Sequence, residues 1–520
     1  MVVKVALLVI FFAVTVFIGV FYKKKVKTMN DFVLGGRNMG PWITAFAYGT
    51  SYFSAVIFVG YAGTFGWRFG ISAFWIGIGN ALIGSLLAWL VLGRRTRIMT
   101  KHLESATMPD FFAKRYDSNF LKIVSSIIVF VFLVPYSASV YKGLSGIFSI
   151  TLGIPFEYCI IGMALLTAVY VVLGGYMATA LNSFIQGMIM LVGIVAVVVA
   201  VLSGHGGFSD SIALLSQEVV PQGAVGEGLQ GSYTSFFGPD LFNLIGVVIL
   251  TSLGTWGLPQ MVHKFYTIKD EKAITKGAII STIFAFVVGG GSYFMGGFGR
   301  LFVEANEAGA PSVGYDDVVP TMLMNLEGTM GKTLLDLLLG IVIVLILSAS
   351  MSMLSSIVIS SSSTFTLDFL KGTFLKKIGE KASMRLIRIL CIAFVVASVV
   401  LAMNAKYITN LMGISWGALS GAFLAPFLYG LYWKRTNKWG VIAGFVSGIG
   451  IVTANMFLGN IVESSVAGAI AMFAGLIVVP VVSLITPKPE KNLVEDCFAC
   501  YDNKVEVQAR YALSEEEIKE

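Results

Sequence analysis

The sequence predicts an all-α polytopic membrane protein that crosses the bilayer about thirteen times, and three observations carry that prediction. Of its 520 residues 56% are hydrophobic and 12% charged, with a mean hydropathy of +0.84, and a soluble chain with so few charges could not keep its surface wet. Apolar runs of about 20 residues recur along the chain, each long enough for a helix to span the hydrocarbon layer. The Lys and Arg residues fall between these runs rather than in one patch, so the net charge of +7 reports topology and excludes a nucleic-acid partner.

Taken in order, the first run, 2–22, is followed by the basic cluster Lys23, Lys24, Lys25 and Lys27 and has no small-residue cleavage site. It therefore reads as a retained span with its N-terminus outside. Further spans fall at 42–62, 72–93, 120–146, 157–175, 184–203, 239–262, 277–300, 333–365, 386–404, 408–431, 439–458 and 464–486. Loops that this count places inside carry Arg37, then Arg94, Arg95, Arg97 and Lys101, then Lys264, Lys269, Lys272 and Lys276, then Lys371, Lys376, Lys377 and Lys381, then Lys434, Arg435 and Lys438. The long outer loop at 204–238 has no base and holds Asp210, Glu218 and Glu227. The C-terminus is then cytoplasmic. In that loop Ser209-Asp210-Ser211 before Ile212, Leu214 and Leu215 predicts a short capped helix ending before Pro221.

Two spans are interrupted. Ala47-Tyr48-Gly49-Thr50-Ser51-Tyr52-Phe53-Ser54 puts a glycine and three hydroxyls where lipid favours leucine, and Gly254-Thr255-Trp256-Gly257-Leu258-Pro259 has two glycines and a proline in six residues. A broken helix in a membrane frees backbone groups that must find water, an ion or a ligand. The breaks lie five spans apart, so they cross in opposite directions, as inverted repeats of five helices require. The core is then spans two to eleven, with one extra helix before it and two after. The chain divides into a first span at 1–30, a half at 31–265 holding the first repeat and the start of the second, the rest of that repeat at 266–436, two peripheral helices at 437–487 and a tail at 488–520.

A third unusual stretch, Ser348-Ala349-Ser350-Met351-Ser352-Met353-Leu354-Ser355-Ser356, is dense in hydroxyls, and oxygen ligands suit a hard cation. Gly413, Gly417 and Gly421, and Gly444 and Gly448, line helix faces for close packing. Cys159 and Cys391 read as packing residues, Cys497 and Cys500 form a lone CxxC without a second ligand pair, and His102, His205 and His263 have no metal-ligand spacing. Neither a cofactor nor paired carboxylates for enzymatic work are found within the spans.

Leu34-Gly35-Gly36-Arg37-Asn38-Met39-Gly40-Pro41, Thr107-Met108-Pro109-Asp110-Phe111, Leu173-Gly174-Gly175 with Gln186 downstream, and Met351-Ser352 leading to Thr366-Leu367-Asp368 resemble the sodium:solute symporter family over nearly the whole chain. Within it the chain is most similar to the proline permease and pantothenate permease branch, with Gly257-Leu258-Pro259 and Gly430-Leu431-Tyr432-Trp433 supporting the latter. The resemblance implies a leucine-transporter-type fold and a sodium site made of the carbonyls of Thr50, Phe53 and Ala349 and the hydroxyl of Ser352. The second hydroxyl position holds Met353, and Tyr52 and Ser183 stand where the proline permease carries aspartates.

The expected function is a symporter of the bacterial inner-membrane type, working as a monomer, that imports a small carboxylate-bearing solute: proline, another amino acid, or a monocarboxylate such as pantothenate. Na+ is the expected coupling ion, with H+ as the alternative and a solute-binding sensor as the reading from another class. Solute is expected at mid-membrane on Ser51, Tyr52 and Ser54 of the first break, Thr255, Trp256 and Pro259 of the second, and Tyr136 of a facing helix, where helix N-termini attract an anion. Lys142, inside a span, reads either as a gate or proton carrier or as a residue reaching to the outer interface.

Overall fold

The computed structural model describes residues 2–23, 33–34, 37, 39–375, 377–404 and 408–502. Lys24, Lys25 and Lys27 of the first basic cluster, Gly35, Gly36 and Asn38 of the first motif, Lys376, and 503–520 of the tail lie outside the described residues. Among those described there is no strand, only isolated bridges, one of which joins Met39 to Ile268. Among the described residues nine helices are long and apolar enough to cross a membrane, and a tenth is a pair, Leu241–Gly257 and Pro259–Tyr266, bent by 47°.

The helices are α1 (Val2–Lys23), α2 (Pro41–Thr50), α3 (Ala62–Phe69), α4 (Phe74–Gly79), α5 (Arg94–His102), α6 (Met108–Tyr116), α7 (Asn119–Leu152) and α8 (Phe156–Ser203), followed by α9 (Phe208–Leu215), α10 (Leu241–Ser252), α11 (Pro259–Tyr266), α12 (Glu271–Ala285), α13 (Gly291–Gly296), α14 (Val318–Met324) and α15 (Lys332–Thr364), and then α16 (Glu380–Asn404), α17 (Ile408–Tyr432), α18 (Lys438–Phe457), α19 (Ser464–Ile485) and α20 (Lys491–Ala499). Pro41 opens α2 at a position where its missing N–H costs nothing. α3 stops at Gly70, whose φ is +63° and where a methyl group would fall 2.2 Å from the Tyr233 carbonyl oxygen, so no side chain fits. A 3₁₀ turn then leads into α4, and π-helical turns at Asn80–Leu87 and Trp89–Gly93 carry the chain on to α5.

Two local expectations change. The spans predicted at 157–175 and 184–203 lie in one helix, α8, whose apolar parts are Phe156–Ala168 and Thr179–Ser203; the side chains of 169–170 and 172–178 lie outside the described residues. Its 48 residues amount to about 72 Å, more than twice a hydrocarbon layer, yet 176–183 contain neither glycine nor proline to stop a helix. In the loop beyond it, α9 begins at Phe208 on an uncapped Gly207, and Ser211 bonds back to the Gly207 carbonyl at 2.7 Å.

α15 and α17 are enclosed on nearly all sides, whereas α18 and α19 flank α17 and turn Val446, Ile477 and Leu484 outward. Helix backbones meet directly where glycine allows. A methyl group on Gly66 would fall 2.1 Å from the Gly296 carbonyl carbon, one on Gly77 2.4 Å from Gly290 Cα, and one on Gly448 2.2 Å from the Gly421 carbonyl carbon. The glycine face of α17 packs as expected, Gly413 on Ser464 and Gly417 on Gly468.

Candidate functional site

The hydrogen-bond ladder of the first broken helix ends at Thr50. Tyr52 N–H turns back to the Gly49 carbonyl at 3.0 Å, Ala55 N–H leaves for Ser350 Oγ at 3.0 Å, and Val56 N–H takes Ser54 Oγ at 3.2 Å. The break is thus stitched to α15 by hydroxyls. Thr50 Oγ1 lies 2.7 Å from Ser352 Oγ, Ser183 Oγ of α8 lies 2.7 Å from the same oxygen, and Ser51 Oγ lies 3.0 Å from Ser356 Oγ. Three hydroxyls from three helices converge at Ser352, and all are buried. Met353 turns to α7, where Tyr136 OH donates to its sulfur at 3.2 Å, so that position offers a soft atom already engaged.

The second break is held by carbonyls. Thr255 Oγ1 donates to Gly84 O at 3.2 Å and Ser252 O at 2.8 Å, and Trp256 Nε1 donates to Ile83 O at 3.0 Å. Tyr48 OH also donates to Gly84 O, at 2.6 Å, and Tyr52 OH donates to Thr251 O, which joins the two breaks directly. Ile83 and Gly84 sit in the π-helical turn Asn80–Leu87, where widening of the helix leaves carbonyls for other partners. Tyr52 stacks on Trp416 of α17 at 6.1 Å, and Tyr136 meets the same ring edge-on at 5.6 Å. Tyr52 and Tyr136 thus share Trp416, and Tyr52 is tied through Thr251 to the break whose Thr255 and Trp256 hold the Ile83–Gly84 carbonyls. Ser51 turns instead to Ser356, Ser54 accepts from Val56 N–H, and Pro259 is buried at the start of α11.

The sequence missed several members. Lys264, counted there among loop bases, is 3% exposed in α11 and donates from Nζ to Ser356 Oγ at 2.9 Å. Gln260, beside Pro259, is buried with neither end of its amide hydrogen-bonded. Ser183 appeared only as a replaced aspartate. A base followed at once by the hydrophobic Phe265 was the available signal for Lys264, but the sequence grouped it with Lys269, Lys272 and Lys276 as a loop base beyond the span at 239–262.

The motifs find structural work at the end of the bundle that carries the bases. Arg37 Nη2 donates to Ser105 O at 2.6 Å and Arg37 Nη1 reaches Tyr266 O at 3.5 Å, pinning the segment before α2 to the ends of α5 and α11. Thr107 caps α6 by accepting from Asp110 N–H at 3.1 Å and donates to Asp368 Oδ2 at 2.5 Å, and Lys122 bridges Asp110 (2.7 Å) and Asp368 (3.4 Å). At the opposite end a cavity of about 560 Å³ is lined by Trp67, Arg68, Tyr233, Asp240 and Arg300. Lys142 lies over the Phe156 ring at 5.6 Å and in the field of Asp316 and Asp317. Among the described residues no group of His, Cys, Asp or Glu is arranged to hold a metal ion, and Cys497 and Cys500 are buried free thiols.

The family model described as "Sodium:solute symporter family" matches residues 32–448. The osmoregulated proline transporter OpuE of Bacillus subtilis is 30% identical over 93% of this chain and 94% of its own length. The sodium/proline symporter of Staphylococcus aureus is 29% identical over 86% of this chain and 84% of its own. Among solved structures, a Na+-coupled sialic acid symporter in a substrate-bound outward-open state superimposes with a TM-score of 0.76 at 16% identity, covering 94% of this chain and 98% of that one. A nucleobase-cation-symport-1 family transporter gives 0.52 at 14% identity, covering 89% of this chain and 97% of that one. At these identities the structural likeness speaks for the fold alone.

Proposed function

Since the chain belongs to the sodium:solute symporter family and is a multi-pass membrane transporter rather than an enzyme, we propose that it imports a small amino acid of the proline class, driven by Na+, by alternating access around the two helix breaks. The observation that carries this reading is the convergence of Thr50, Ser183 and Ser352 hydroxyls where the first break meets α15. The carbonyls of Thr50, Phe53 and Ala349 and the hydroxyl of Ser352 would supply the cation's oxygens. The solute would lie between Ser51, Tyr52 and Ser54 on one side and Thr255, Trp256 and Pro259 on the other, with Tyr136 and Trp416 as an aromatic wall and the Gln260 amide as a further polar contact. A five-plus-five inverted repeat, with the N-terminus outside, would put the Arg68–Arg300 cavity at the outer mouth, where the Arg300 guanidinium would favour a carboxylate while Arg68 is paired with Glu463. Inward movement of one charge then gains about 2.3 kcal/mol per 100 mV. This is a factor of about fifty in accumulation.

The sulfur of Met353, turned to Tyr136, favours H+ coupling as the second reading. Uptake of labelled L-proline into proteoliposomes, with a sodium gradient and a pH gradient imposed separately, tests both. Accumulation driven by sodium alone is expected; accumulation by the pH gradient, indifferent to sodium removal, would replace Na+ by H+. Binding without accumulation under either gradient would indicate a sensor.

A further inference from the structure

The CxxC pair at Cys497 and Cys500 lies away from the two helix breaks, at the point where the tail grips the bundle. Both thiols are free and buried, on the last turn of α20 and the 3₁₀ turn Cys500–Asp502 that continues it. Cys500 Sγ donates to the Cys497 carbonyl at 3.2 Å, so the second sulfur folds back over the turn that carries the first. Each cysteine is followed at once by an aromatic ring that docks. Phe498 lies 5.0 Å from the Arg115 guanidinium of α6 and 5.6 Å from Lys434 Nζ. Tyr501 lies 4.5 Å from the Arg95 guanidinium of α5, its OH donates to Leu431 O of α17 at 2.8 Å, and its carbonyl accepts from Arg94 Nη2 at 3.3 Å. The tail thus clasps α5 and α6 to the end of α17.

We propose that Cys497 and Cys500 are a dithiol modification site: closing them into a disulfide releases the clasp that Phe498 and Tyr501 make between α5, α6 and α17. Residues three apart on a helix lie on one face with Cα atoms about 5 Å apart, inside the range that a disulfide tolerates. Their Cβ atoms, however, are about 5–6 Å apart, whereas a disulfide needs about 3.5–4.5 Å. The bridge therefore closes only if one cysteine leaves helical geometry. Cys500, the C-cap of α20 with φ −66° and ψ −16°, is the one free to turn, because the helix ends there. Its turning carries Tyr501 away from Arg95 and Leu431. The segment then has two states, reduced and docked or bridged and released. The reaction is thiol–disulfide exchange with a small disulfide, RSSR. One protein thiolate attacks a sulfur of RSSR and expels RS−, the other attacks the mixed disulfide so formed and expels the second RS−, and the two thiol protons end on two RSH. The protein pair is oxidised by two electrons and RSSR is reduced by the same two. Burial raises the pKa of both thiols, so the docked tail reacts slowly and exchange proceeds through its open state.

Hydrogen exchange and peptide mapping of the purified full chain in lipid nanodiscs, before and after oxidised glutathione, test this without knowledge of the solute. The expected result is a bridge between Cys497 and Cys500 with no bound glutathione, and exchange in 491–502 about tenfold faster than in the reduced chain, both reversed by dithiothreitol. The double variant Cys497→Ser with Cys500→Ser, which has neither sulfur, should keep slow exchange in the presence of the oxidant. Should it fail to fold, alanine at both positions serves in the same assay. A bridge that leaves exchange in 491–502 unchanged overturns the proposal, as does a stable glutathione adduct on one of the two cysteines. Persistence of both thiols under a treatment that bridges them in the denatured chain overturns it as well.

Discussion

At the residue scale the seam between the first break and α15 depends on single oxygen atoms. Ser352 Oγ serves both Thr50 and Ser183, so Ser352→Ala removes the shared partner of two buried hydroxyls and, on the proposed reading, one oxygen for the cation. The variant is expected to raise the sodium concentration for half-maximal uptake at least tenfold, with solute affinity at saturating sodium changed far less; an unchanged sodium activation curve would count against the site. Asp316 makes a different prediction. Its Oδ2 accepts from the Ile408 N–H at 3.1 Å, at the start of α17, and its Oδ1 is buried without a partner. Burial pushes this carboxyl up to about 6, opposed by the Ile408 N–H and by Lys142 and reinforced by Asp317. Because the folded value lies above the ordinary one, folding favours the neutral acid. That stabilisation is complete below about pH 4 and is lost as pH rises through about 6. Hydrogen exchange in 315–325 should therefore slow between pH 7 and pH 5 once corrected for intrinsic rates, and Asp316→Asn should abolish the difference. The hydroxyl-rich stretch around Ser352 was legible in the sequence and the family resemblance singled out Ser352 within it, whereas Asp316 was not legible, since only the fold brings the loop to α17.

At the element scale, breaks made by glycine and proline were legible and breaks made by geometry were not. Pro259 opens α11 and Gly257 ends the 3₁₀ turn before it, so the second interruption follows from residues that cannot continue a helix. The π-helical turn at Asn80–Leu87, whose Ile83 and Gly84 carbonyls hold Trp256, Thr255 and Tyr48, has no local residue demanding it. Nor did the sequence show α8 as one helix, because Gly174-Gly175 and the residues after them look like a loop between two apolar runs. Gly257 also lets α17 approach: a methyl group there would lie 2.8 Å from both Leu424 N and Ser420 Cα. Gly257→Ala should cost about 1–3 kcal/mol, read as a lower melting temperature in detergent. Gly450→Ala, with nothing within 4 Å, should be neutral or slightly stabilising.

At the scale of the whole molecule, residues 488–502 of the tail are part of the fold. α20 docks on α5 and α6, with Arg115 fully buried, donating to Gly430 O at 2.9 Å and lying 5.0 Å from the Phe498 ring. Arg95 sits between the rings of Tyr432 (4.0 Å) and Tyr501 (4.5 Å), and Tyr501 OH donates to Leu431 O at 2.8 Å. Burial under this contact pushes the Cys500 thiol up to about 11. Both cysteines should thus react slowly with a maleimide at pH 7, and Tyr501→Ala, by freeing the tail, should speed labelling at least tenfold. Equal rates would mean that the tail is already undocked. The glycine contacts carry a mechanical consequence. Where Gly66 meets Gly296, Gly77 meets Gly290 and Gly421 meets Gly448, main chain bears on main chain, with no layer of side chains to act as a lubricant. Such joints behave as welds, so α3 and α4 travel with α12 and α13, and α17 travels with α18. Slip is left to the seams cushioned by hydroxyls, and the one between the first break and α15 is where the machine has its bearing.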